Sequence, residues 1–100
     1  MIIAVNINRA LASGLSIQNA TERAWALSID NCKKHEYVIG VVSGAVVGYF
    51  KLNNVIQDSQ LPNRVKFDLI PCTGTDIQLI DDYISSNNIS LDYIQRGKYI

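Results

Sequence analysis

Thr21, Arg23 and Trp25 fall within one short segment and bring together a hydroxyl, a guanidinium and the chain's only indole. A stacking ring beside a hydroxyl and a planar cation is what a site needs to hold a base or a nucleotide. The arginine fork matches a phosphate or a base edge bidentately. The same ring could instead fill the centre of a small core, burying on the order of 200 Å². The arginine could equally sit at the surface near Glu22. Asn6 and Asn8 add amides that could read base edges, or they are solvated groups at a strand end. Tyr37, Tyr49 and Phe50 could line an aromatic pocket with Trp25, or stabilise a sheet as cross-strand pairs.

Other reactive groups carry less chemistry. Cys32, His35 and Glu36 supply a thiol, an imidazole and a carboxylate within about one helical turn. Nothing nearby orients a substrate or supplies an oxyanion hole, so a nucleophilic role is not expected. Asp81 and Asp82 are adjacent and read as the wet side of a helix. Arg64, Lys66 and Asp68 alternate along a strand and read as its solvated face. His35 is the only histidine, so a zinc site would need several carboxylates. No metal, no cofactor and no enzymatic activity are expected. Cys32 and Cys72 share no C-x-x-C spacing, and no disulfide is expected.

At 100 residues the chain has the length of one domain. Its hydrophobic content of 48% against 18% charge belongs to a globular protein. Nine basic and nine acidic residues cancel, so no strong field draws it onto duplex DNA through many phosphates. A single ligand, a short single strand or a protein surface remains open. The opening MIIAVNINRA lacks the pattern of a signal peptide, and no run approaches the roughly twenty apolar residues of a membrane span. A cytoplasmic protein with no membrane partner is expected.

The positioning elements follow from periodicity. Ile3, Val5 and Ile7 alternate with Ala4, Asn6 and Asn8 as a strand. Arg9 to Asn19 reads as a connection with at most one helical turn. Ser28 caps a short helix from Ile29 to Lys34. Tyr37–Val42 and Ala45–Leu52 form a hairpin about Ser43-Gly44. That turn sets Val42 opposite Ala45, Gly40 opposite Val47, Ile39 opposite Gly48 and Tyr37 opposite Phe50. Asn53 to Asn63 reads as a loop or edge connection, and Arg64 to Ile70 as a strand stopped by Pro71. Thr75 and Gln78 form a capping box for a helix from Asp76 to Ser85. Leu91–Ile94 and Lys98–Ile100 read as short strands. The sum is an α+β domain: a small curled mixed or antiparallel sheet or pseudo-barrel of about five strands with two or three flanking helices.

Taken together, Val5-Asn6-Ile7-Asn8, the Ala20-Thr21-x-x-x-Trp25 segment, the Tyr37–Phe50 hairpin and the closing Arg96–Ile100 stretch resemble a small module of bacterial and phage proteins. That module is similar to the PUA-like group, which includes ASCH, EVE and YTH domains. Arg23 and Ala24 stand where such modules often carry glycine. The resemblance spans nearly the whole chain. It implies a single curled-sheet domain with a pocket for RNA, a nucleotide or a modified base.

The expected function is a non-enzymatic module that holds a nucleotide, a modified base or a short nucleic acid around Trp25. The ligand-binding residues would be Asn6, Asn8, Thr21, Arg23, Trp25, Tyr37, Tyr49 and Phe50. Acting by occupancy, a phage-encoded protein of this kind would sequester a nucleotide signal or block a host defence protein. The alternative is a structural subunit that self-associates into a homo-oligomer, with Trp25 as core.

Overall fold

The central strand of the sheet carries no charged residue and is buried at all but its last position. In a computed structural model that describes residues 1–23 and 25–100, Tyr37–Val42 (β2) lies third of five strands, in the order Val65–Pro71 (β4), Ala45–Gln57 (β3), β2, Ile2–Asn6 (β1) and Gly97–Tyr99 (β5). Ala24, one of the two residues at the glycine position of the resembled modules, lies outside the described residues. β1 (Ile2–Asn6) runs parallel to β2, and β5 (Gly97–Tyr99) runs antiparallel to β1. β3 (Ala45–Gln57) and β4 (Val65–Pro71) extend the sheet antiparallel on the other side. The connection from β1 to β2 carries three short helices, α1 (Asn8–Ala12), α2 (Ile17–Glu22) and α3 (Ile29–Cys32). A parallel pair requires such a crossover. The longest helix, α4 (Gly74–Ser86), follows β4.

The result is an α+β domain whose mixed sheet stays open, with four helices among the described residues where two or three were expected. β1 and β2 are buried on both faces, which explains their unbroken apolar runs. On one face Ile3, Val5, Val38 and Phe50 pack with Phe67, Leu69 and Ala20. On the other, Ile2, Ala4, Tyr37 and Ile39 pack under Ile80 of α4 and Ile94. No helix among the described residues is long and apolar enough to cross a membrane.

Local signals placed several elements. Ser28 Oγ accepts from the Asn31 amide at the start of α3. Ser43 and Gly44 both take positive φ, 50° and 80°, which is the two-residue turn that matches strand twist. Both cysteines are free.

Several expectations need correction. The hairpin begins with Val42 opposite Ala45, but a bulge then leaves Val47 without a partner. Gly40 therefore faces Gly48, Ile39 faces Tyr49, and Tyr37 faces Lys51 rather than Phe50. β3 runs on to Gln57 through a second irregularity at Asn53, in what reads as a polar loop. α4 is capped by Thr73, whose hydroxyl donates to Asp76 Oδ2 at 3.3 Å, and not by Thr75. The Arg9–Asn19 connection holds α1 from its second residue on and the start of α2. Leu91–Ile94 is not a strand, although Ile94 is buried.

Candidate ligand-binding cleft

Parallel strands in open sheets leave a crevice beyond their carboxyl ends, where chain connections diverge. β1 ends at Asn6, and the crevice beyond it is a cleft of about 790 Å³. Asn6 and Asn8 enter it from the end of β1 and the start of α1, and Trp25 from the segment after α2. Arg9, Arg64 and Arg96 complete its polar lining from three distant parts of the chain.

Three of the chain's four arginines thus share one hollow, and among the described residues no carboxylate lines it. Among the described residues none of the three makes an ion pair or a side-chain hydrogen bond. Like charges gathered without a counter-charge repel, and an anion seated among them removes that cost. A net charge of zero concealed this local field. The signal available in the sequence was positional: each arginine stands at or near the end of an element, Arg9 in α1, Arg64 before β4 and Arg96 before β5. Arg64 belongs to the cleft rather than to a solvated strand face, while Lys66 and Asp68 do stay exposed on β4.

Trp25 belongs in part to the core and in part to the wall of the cleft. Its ring packs against the buried cluster of Phe67 and Val65 while one side lines the cleft. Its Nε1–H donates to the Thr21 carbonyl at 2.8 Å, which fixes the plane of the indole. Asn6 is similarly fixed: its Nδ2 donates to the Ile94 carbonyl at 2.7 Å, and its Oδ1 accepts the Asn8 amide at 3.0 Å.

The structure does not bring the remaining candidates to this cleft. Thr21 is fully buried, and its hydroxyl donates to the Ile17 carbonyl at 2.7 Å inside α2. Arg23 does not line the cleft and is engaged elsewhere, donating from Nε and Nη2 to the two oxygens of Asp58 at 3.1 and 3.0 Å and to Gln60 at 2.9 Å. The guanidinium holds the Asp58 carboxyl down at about 2, helped by the Gln60 amide. Asp58 in turn accepts the amides of Gln60 and Leu61, so this pair folds the β3–β4 loop that carries Leu61 and Arg64 to the cleft. Arg23 thus braces the loop that lines the cleft.

The aromatic pocket is not assembled. Phe50 is buried in the core, and Tyr37 and Tyr49 lie on the opposite sheet face from Trp25. There their hydroxyls donate to α4, Tyr37 to Asp76 at 2.9 Å and Tyr49 to Asp81 at 2.7 Å. The bond to Asp76 raises the Tyr37 phenol, and burial with the Asp81 bond pushes Tyr49 up to about 12. Cys32 is buried with its Sγ 3.8 Å from the Tyr99 hydroxyl, and burial pushes its thiol up. His35 stacks on Tyr99 at 4.7 Å. Among the described residues no group of three His, Cys, Asp or Glu side chains is placed to hold a metal ion. Set against protein-family models, curated proteins and solved structures, the chain matches none.

Proposed function

We propose that this chain is a binding module for a nucleotide or short nucleic acid, held in the cleft that Trp25 shares with Arg9, Arg64 and Arg96. The observation that carries the reading is the gathering of three arginines without a carboxylate beside a half-buried indole of fixed orientation. Guanidinium forks bind phosphate bidentately, and an indole face accepts a base by stacking. The likeness of the Ala20–Trp25 segment to PUA-like modules points the same way and carries less weight than the cleft. Acting by occupancy, such a module would sequester a nucleotide signal. The test is titration of Trp25 fluorescence with mononucleotides, cyclic oligonucleotides and short single strands. A saturable change that weakens at least tenfold in Arg64→Ala supports the reading; a flat response across the panel with folded protein rejects it.

One observation favours a second reading, self-association. Ile56 and Ile70 are half exposed on the part of the β3–β4 face that α4 leaves uncovered. Sedimentation over a hundredfold range of concentration decides it, with a rising mass expected of a self-associating chain.

A further inference from the structure

We propose that the ligand is a single strand of at least two nucleotides and that Tyr93 is the second stacking platform; this rests on the cleft reading above. Asn6, Asn8 and Gln95 line the arginine cleft and also a second hollow of about 560 Å³, so the two form one continuous groove. Tyr93 lines the second hollow and is 97% exposed, the most exposed of the chain's large hydrophobic residues. An aromatic ring given wholly to solvent beside a polar groove has a face free for a base.

The loop that presents it is braced. The Ile94 carbonyl accepts from Asn6 Nδ2, and the Arg96 carbonyl accepts the Asn6 amide at 2.8 Å. The Asp92 carboxylate lies against Gly44 of the β2–β3 turn, in the space that a side chain there would take. Between these two anchors Tyr93 holds φ 64°, a left-handed backbone that bulky residues adopt rarely and only when the surroundings impose it. The ring is therefore directed outward by its neighbours.

Charge divides the groove. The arginines stand only in the Trp25 half, and the Tyr93 half contains Asp92 instead. A phosphate is drawn to the first half and kept from the second. The second half offers amides and an aromatic face, which suit an uncharged base. A mononucleotide satisfies only the Trp25 half. A strand places its phosphates among the arginines, one base on Trp25 and its neighbour on Tyr93.

The experiment is calorimetric titration of the whole chain with 5′-phosphorylated oligothymidylates of one, two, four and eight nucleotides. Affinity is expected to rise at least tenfold from one nucleotide to four. Tyr93→Ala is expected to bring that ratio close to one and Tyr93→Phe to keep it, since stacking and not the hydroxyl is invoked. The exposed position makes loss of fold a minor concern, and circular dichroism checks it. Equal affinity at all lengths, or a length preference that survives Tyr93→Ala, overturns this inference and leaves the cleft reading standing. No binding at any length overturns this inference, and the nucleotide panel above then decides the cleft reading.

Discussion

Trp25 and Val65 exchange both backbone hydrogen bonds, at 3.2 and 2.9 Å, on the outer side of β4. Two residues on, Leu27 packs against Gly97 of β5, the opposite edge strand, where a Cβ would come within 3.1 Å of Leu27 Cδ1. The segment from Trp25 to Leu27 therefore spans the gap between the two edges of the open sheet. It blunts an unpaired strand edge, and it draws Arg64 beside β4 and Arg96 beside β5 into one cleft. The indole is at once a structural tie and a wall of the cleft.

Replacing Trp25 separates those roles. Trp25→Phe keeps an aromatic ring and loses the bond to the Thr21 carbonyl, which should cost about 0.5–1.5 kcal/mol. Trp25→Ala also removes the packing against Phe67 and Val65 and should cost about 3 kcal/mol. Urea midpoints at constant slope measure both. A cost below about 1 kcal/mol for the alanine variant would show that the ring is not part of the core.

Gly40 should resist enlargement. Its Cβ would stand 2.9 Å from Thr21 Oγ1 and 3.0 Å from Ile7 Cδ1, all three residues being buried. Gly40→Ala is expected to destabilise by about 1–3 kcal/mol through overpacking. In the Thr21→Ala background the hydroxyl is gone, and the same change should cost at least about 0.5 kcal/mol less. Additive costs would show that the two sites do not touch.

What was legible in the sequence was local. The Ser28 cap, the Ser43-Gly44 turn and the apolar β2 each depend on residues within a few positions of one another. The register of the hairpin was not, because the bulge at Val47 leaves no mark in the residue types. β3 was cut short for a related reason. The extra residue at Asn53 shifts the alternation by one, so Leu52 and Val55 face the same core although three positions apart. The cleft was half legible: Asn6, Asn8 and Trp25 do meet there. Arg9, Arg64 and Arg96 meet only through tertiary folding, and Arg23, adjacent to them in chemistry, is claimed by Asp58.

Acid should loosen the site through Asp58. Its carboxyl sits at about 2 in the folded chain against an ordinary 3.8, so the folded state binds this proton less readily than the unfolded state does. The stabilisation is complete above about pH 4 and is lost as pH falls through 2. Asp58→Asn removes it at every pH. The melting-temperature gap between the wild-type chain and Asp58→Asn is therefore expected to narrow from pH 5 to pH 2. A constant gap over that range would mean that the Arg23–Asp58 pair does not form in solution.

The arginines make a prediction about salt. If each of Arg9, Arg64 and Arg96 neutralises a phosphate of a bound strand, binding releases the counterions those phosphates had condensed. The logarithm of the association constant then falls with the logarithm of salt concentration, by about 0.7 per phosphate engaged on a single strand. Arg64→Ala and Arg96→Ala should each reduce the slope by about 0.7 for oligothymidylate as well as weakening binding. Arg23→Ala is different, because its guanidinium faces Asp58 and not the cleft. It should weaken binding by loosening the loop that carries Arg64, while the slope in the bound state stays that of the wild-type chain. Equal slopes for all three variants would mean that the cleft arginines contact no phosphate, and the strand would then have to be held by its bases alone.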